Sequence, residues 1–183
     1  MKKIAAAGLL LFCFYLNGTA QLYFTKNGYI SFFSSTVLED IKADNNQVIS
    51  IVNTATGDMQ FSLLTNAFHF KKALMEEHFN EDYIESGKYP KSTFKGTISN
   101  LKDVNFGKDG VYNVTVSGSL SIHGVTKEVS VPGKLTVKAG NISATSAFKI
   151  KPKDYNIKIP SAVKNNIAET VELTVTCNYE KKS

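Results

Sequence analysis

Hydrophobic and polar residues alternate with period two over most of this chain, and the longest such run, Val111 to Lys138, organises the rest. In its first half Tyr112, Val114, Val116, Gly118, Leu120 and Ile122 share one face, with Asn113, Thr115, Ser117, Ser119 and Ser121 on the other. After His123-Gly124 the apolar set resumes as Val125, Val129, Val131, Leu135 and Val137. A two-residue loop at His123-Gly124 pairs Ile122 with Val125, Val116 with Val131 and Tyr112 with Leu135, which puts both apolar sets on one face. Such turns favour Asn or Asp before the Gly, but His also tolerates positive φ. A four-residue loop keeps the same parity. In the two-residue register Gly118 faces Val129 and Gly133 faces Val114. Glycines inside strands this long mark bends, and the hairpin suits a curved barrel and a sandwich equally.

Shorter alternations flank this hairpin. Tyr29 to Ser34 reads as a first strand, with a start nearer Leu22 left open; Val48 to Val52 is a second, and Met59 to Leu63 a third after a turn at Ala55–Asp58. From Phe68 to Ser86 the period changes. Met75, Phe79 and Tyr83 recur every four residues with Leu74 beside them, which predicts one helix or two short ones ending near Gly87 and Pro90. Strands resume with Phe94, Gly96 and Ile98. Beyond the hairpin, Asn141 to Lys151 puts Ile142, Ala144, Phe148 and Ile150 on one face. Pro152 to Ala168 is irregular and polar apart from Ile157 and Ile159, and Val171, Leu173, Val175, Cys177 and Tyr179 form the last strand. About eight strands with one wet face, and a helical insertion between strands 3 and 4, predict an all-β, up-and-down antiparallel barrel. Its interior is either filled or holds one ligand.

Length and composition add little except at the start of the chain. With 183 residues, 43% of them hydrophobic, one domain can bury a full core. Met1-Lys2-Lys3, the apolar run Ile4–Leu16 and the small residues Gly18-Thr19-Ala20 read as a secretory signal peptide cleaved after Ala20. That leaves residues 21–183 as the barrel domain of a periplasmic or secreted protein. Phe12 stands before Cys13 where a lipid anchor needs a small residue, so an anchor is rejected. The mature chain keeps only Cys177, on an apolar face, which predicts a buried thiol and no internal disulfide.

Charge argues against nucleic acid. The formal +5 falls to about +3 once Lys2 and Lys3 leave, and no arginine is present for bidentate base or phosphate contacts. The helical insertion, Lys127 on the apolar face and the YEKKS ending argue against an outer-membrane barrel, and no transmembrane segment is expected in the mature chain. Catalytic signatures are missing: no G-x-S-x-G elbow, no phosphate loop, no Cys-His pair with a base. His78 lies near Glu77, Glu81 and Asp82 but lacks a second His at i+4, so no metal site is expected. His69 and His123 are read as structural.

Several segments together resemble the YceI-like family of lipid-binding (polyisoprenoid-binding) exported proteins. They are Phe68-His-Phe followed by LMEEHFNEDYIES, then Lys88-Tyr89-Pro90 leading to Thr93-Phe94-Lys-Gly. Gly118-Ser-Leu-Ser-Ile-His-Gly-Val-Thr-Lys127 is similar to the family's G-x-L-T-I-H-G-V-T-K run, with Ser121 where Thr is common. Lys153-Asp-Tyr-Asn-Ile157 resembles its late D-[FY]-x-I segment. The resemblance implies a lipocalin-like eight-stranded barrel whose apolar lumen holds a long isoprenoid or similar amphipathic lipid. No cofactor is implied beyond a bound isoprenoid or quinone as ligand, and no enzymatic role.

On the strands the candidate lining is Phe61, Leu63, Phe94, Ile98, Val114, Val116, Leu120, Ile122, Phe148, Ile150, Leu173 and Val175. Around the insertion it is Phe68, Phe70, Leu74, Met75 and Phe79, with Met75, His78, Phe79 and Tyr83 beside the lumen's opening. A closed core would show the same strand residues. The expected function is a carrier or sequestering protein for such a lipid; the alternative is a ligand-free exported β-domain acting as a surface interaction or stress-related module.

Overall fold

Alternation becomes strand along almost its whole length. The computed structural model describes residues 21–182; the expected leader, residues 1–20, lies outside the described residues. The strands are β1 (Leu22–Ser35), β2 (Asp40–Asn53), β3 (Asp58–Leu64), the two-residue β4 (His69–Phe70), β5 (Lys91–Ile98), β6 (Gly110–Ile122), β7 (Val125–Lys138), β8 (Asn141–Ile150) and β9 (Val171–Lys181). All pairings are antiparallel. With β4 set aside, chain neighbours pair in turn, and β1 closes the sheet by pairing with both β2 and β9, which makes an eight-stranded barrel. β4 adds a short rung beside β2, where Phe70 faces Ala43.

The β6–β7 hairpin has the predicted register, with Ile122 opposite Val125, Val116 opposite Val131 and Tyr112 opposite Leu135. His123 and Gly124 take φ values of 51° and 73°, the left-handed pair that a tight hairpin turn demands. The apolar set of these strands points into the barrel: Val114, Val116, Leu120, Ile122, Leu135 and Val137 are all buried.

β1 and β2 depart from simple alternation. Their pairing runs Thr25–Ser50, Gly28–Val48, Ile30–Asn45, so each strand carries an extra residue and its facing pattern flips there. Polar side chains therefore turn inward. Ser50 is fully buried and lies 2.8 Å from the Tyr179 hydroxyl, while the buried Asn45 donates from Nδ2 to the Leu64 carbonyl at 3.0 Å. Tyr179→Phe strips the Ser50 hydroxyl of this partner and is expected to cost about 1–2 kcal/mol. A lowered urea midpoint with unchanged slope would confirm it; an unchanged midpoint would mean the bond contributes nothing net.

One end of the barrel is closed. Tyr23, Val52, Met59, Ile98, Leu135, Ile142, Cys177 and Tyr179 pack there in one cluster, roofed by Leu101, Val104 and Phe106 from the β5–β6 connection. Burial pushes the Cys177 thiol up to about 11, so it stays protonated and inert at neutral pH. Beside this end the Lys182 amide donates to the Leu22 carbonyl at 2.8 Å.

Gly96 and Gly118 face each other across β5 and β6. The space they make does not go to the lumen. A Cβ on Gly118 would stand 2.3 Å from the Lys95 carbonyl oxygen, and one on Gly96 would stand 2.5 Å from the Phe94 ring. The two strands use that room to approach closely and bend.

Candidate functional site

Above the closed end the barrel is hollow. The cavity measures about 390 Å³, within the usual range for small-molecule sites, and its wall is almost wholly apolar. From the strands it receives Phe61, Leu63, Phe94, Val114, Val116, Leu120, Ile122, Phe148, Ile150, Leu173 and Val175. Inward parity places each of these side chains there.

Two segments cover the end opposite the closed one. The first, residues 65–90, contains a 3₁₀ turn (Thr65–Ala67), β4, a short helix α1 (Ala73–His78) and a π-helical turn (Phe79–Tyr83) in place of the longer predicted helix. It contributes Phe68, Phe70, Met75, His78, Phe79, Tyr83 and Ile84 to the cavity wall. Phe32 of β1 meets Phe68, Phe70 and Phe79 in a tilted and edge-on cluster with ring centroids 5.1–5.7 Å apart. Such packing is favourable beyond the area buried.

The second segment, residues 151–170, contributes Ile157, Ile159, Val163 and Ile167 to the wall. The sequence predicts a polar connection here, and the Ile157–Ile159 pair is the one signal in it of this contribution. Ile30, Phe32, Ile41, Met59, Val129 and Val131 also line the cavity beyond the expected set.

Two expected lining residues lie elsewhere. Leu74 is 61% exposed on the outer side of α1, one residue off the stripe formed by Met75 and Phe79. Ile98 is 3% exposed and belongs to the closed-end cluster. Parity put its side chain inside, but at the filled depth of the barrel.

Polar contacts tie the two covering segments to each other and to the barrel rim. On one side His123 is buried in the β6–β7 turn, with Tyr89 edge-on at 4.4 Å. Its Nδ1 lies 3.0 Å from the Tyr155 carbonyl oxygen and its Nε2 2.7 Å from the Glu85 carboxylate. One imidazole thus contacts both segments. On the other side Glu39, in the β1–β2 turn, accepts from Lys72 Nζ at 3.0 Å and from Asn166 Nδ2 at 3.3 Å, again one residue from each segment. The Ala168 amide donates to the buried Ser34 hydroxyl at 2.8 Å.

These bonds set a pH response. The Lys72 bond, and then the Asn166 bond, hold Glu39 below its ordinary range; the His123 bond chiefly does the same for Glu85, helped by Lys88 and Lys158. A carboxyl depressed on folding contributes stability that is present in full above the unfolded range and lost as pH falls through its folded value. Cleavage of the two covering segments by an acid-active protease is therefore expected to rise as the pH drops below the ordinary carboxylate range, with the barrel strands still resistant. Uniform resistance down to global unfolding would show that these contacts do not hold the cover.

A model of the YceI-like domain matches residues 20–179. Protein YceI of Escherichia coli O17:K52:H18 is 29% identical over 113 residues, covering 58% of this chain and 55% of that protein. The chain thus spans about half the length of the curated relatives it matches. Among solved structures, a polyisoprenoid binding domain from Saccharophagus degradans implicated in plant cell wall breakdown superimposes with a TM-score of 0.77 at 17% identity. That match covers 89% of this chain and 99% of the other. Burkholderia cenocepacia BcnA follows with a TM-score of 0.69 at 16% identity, covering 84% and 96%.

Proposed function

Because the chain belongs to the YceI-like domain family, we propose that it binds a long isoprenoid or similar amphipathic lipid in the barrel cavity, as an exported carrier or sequestering protein. The observation that carries this reading is the hollow itself. A barrel evolved only for its surface would fill its axis, as the closed end does, whereas here the apolar side chains of β3, β5, β6, β8 and β9 surround empty space under an aromatic cover. The similar fold of the polyisoprenoid binding domain from Saccharophagus degradans agrees with it.

Each methylene moved from water into such a cavity contributes about 0.8 kcal/mol, so a chain of isoprene units binds tightly without an ion pair. We assign no enzymatic step, metal or cofactor. Export follows from the leader read in residues 1–20, with cleavage after Ala20 and a periplasmic or extracellular site of action.

Native mass spectrometry of protein purified without detergent, followed by solvent extraction, tests the reading. A stoichiometric long-chain adduct is expected. A mass that stays that of the bare chain after incubation with isoprenoid quinones would replace the carrier by a surface-interaction module.

A further inference from the structure

The barrel wall is not sealed all the way round. β6 and β7 pair over their whole length, and β8 pairs with β9 from Ile142 to Ile150. Between β7 and β8 the ladder runs only from Lys138–Asn141 to Lys134–Thr145 and then stops. Its end has a covalent cause. Pro132 has no N–H, and it faces Thr115 of β6 on one side, so it has no donor with which to continue the β8 ladder on the other. A single side-chain bond, from Ser146 Oγ to the Pro132 carbonyl at 2.6 Å, links the strands at that level.

Beyond it the ladder is not continued, and the unpaired stretch forms a slit in the sheet. Val129, Val131 and Gly133 line one lip and Ser146 and Phe148 the other, all on the cavity wall. Lys134, whose neighbour Leu135 points into the core, also lines the cavity at the slit's foot, so the cavity reaches outward between these strands. Tyr155 lies in a buried cluster with Ile84, Leu120 and Ile122, against which Val125 and Val129 of β7, Phe148 and Ile150 of β8, and Ile157 pack; it covers the slit's upper part and leaves Val131, Gly133 and Ser146 flanking the part below. Apart from the Pro132 carbonyl, the facing edges of β7 and β8 have no ladder partner beyond Lys134–Thr145, and water must satisfy them; the slit is wet outside and mostly apolar inside.

We propose that this β7–β8 slit is a second, lateral portal, through which an isoprenoid chain longer than the cavity passes out of the barrel. The proposal rests on the lipid-binding reading above. A hollow with one covered mouth sets an upper limit on chain length; a hollow open at its side does not. The consequence is selectivity for the class of chain rather than for its length.

Closing the slit from outside tests this without touching the lumen. If the ladder register continued, Ser130 would face Lys149, and both are exposed with side chains on the outer surface. In Ser130→Cys/Lys149→Cys a short bis-maleimide can bridge the lips, and the fully buried Cys177 stays unmodified. Bridged and unbridged protein are then offered farnesol, geranylgeraniol and solanesol, and bound prenol is read by native mass spectrometry.

The bridged protein is expected to keep farnesol and to bind solanesol about tenfold more weakly or worse. Equal solanesol binding before and after bridging overturns the portal, as does equal loss of every prenol. Should the unbridged protein bind none of them, the lipid reading itself falls, a distinct outcome. Pro132→Val, which restores a donor at the point where the ladder ends, is expected to shift selectivity in the same direction and serves if the double variant does not fold.

Discussion

Gly118→Val is expected to destabilise the barrel by about 3 kcal/mol or more, lowering the melting temperature by roughly 6–12 °C. The reason is backbone against backbone. A Cβ at this position would lie 2.3 Å from the Lys95 carbonyl oxygen and 2.4 Å from the Gly96 Cα, neither of which belongs to a side chain that could rotate away. Relief requires β5 and β6 to move apart where they bend, which disturbs the register on both sides. Gly87→Ala is the matched control, because a Cβ there meets nothing within 4 Å; it is expected to stay within about 0.5 kcal/mol of the parent. Thermal unfolding of the two variants side by side decides the matter. Equal melting temperatures would show that the close approach of β5 and β6 is not what Gly118 provides.

Val116→Asp should abolish lipid uptake. Val116 is 8% exposed on the cavity wall, facing Ile98 on one side and Val131 on the other. A carboxylate there has no partner and costs several kcal/mol whether it stays charged or takes up a proton. Val116 also belongs to the core cluster, so loss of fold is a competing outcome. Val116→Thr separates the two. It keeps the shape, adds one hydroxyl to the wall, and is expected to fold while binding about tenfold more weakly. Undiminished uptake by a folded Val116→Asp protein would place the ligand somewhere other than this lumen.

How much of this was legible beforehand differs along the chain, for physical reasons. The β6–β7 hairpin could be read to the residue, because thirteen uninterrupted cross-strand pairs share one parity and a turn that tolerates positive φ fixes it. β2 could not. Only Val48–Val52 reads as strand, since Ala43 and Asn45 fill the inward positions of its first half and the bulge near Gln47 breaks the alternation. The Met75, Phe79, Tyr83 stripe named the correct face of the insertion while overstating the helix; a π-helical turn keeps Phe79 and Tyr83 directed at the cavity. Leu74 stands outside the wall because adjacency in a helix is a rotation of about 100° away from the stripe. Ile98 stands below the hollow because alternation gives the side of a strand and not the height along the barrel axis. That same gap hid the hollow: a filled end and an empty one have identical patterns, and only the packing of Leu101, Val104 and Phe106 distinguishes them.

Closure of the barrel by β1 against β9 has a practical corollary. Leu22 and Lys182 leave the sheet side by side, joined by a hydrogen bond, next to the filled end. A tag, a surface anchor or a fluorescent reporter attached after Lys182 therefore hangs below the barrel, with both covering segments pointing the other way. Protein immobilised through such a tag presents its covered end to the solution in a uniform orientation, so lipid exchange with vesicles can be followed at a chip surface without the attachment shielding it.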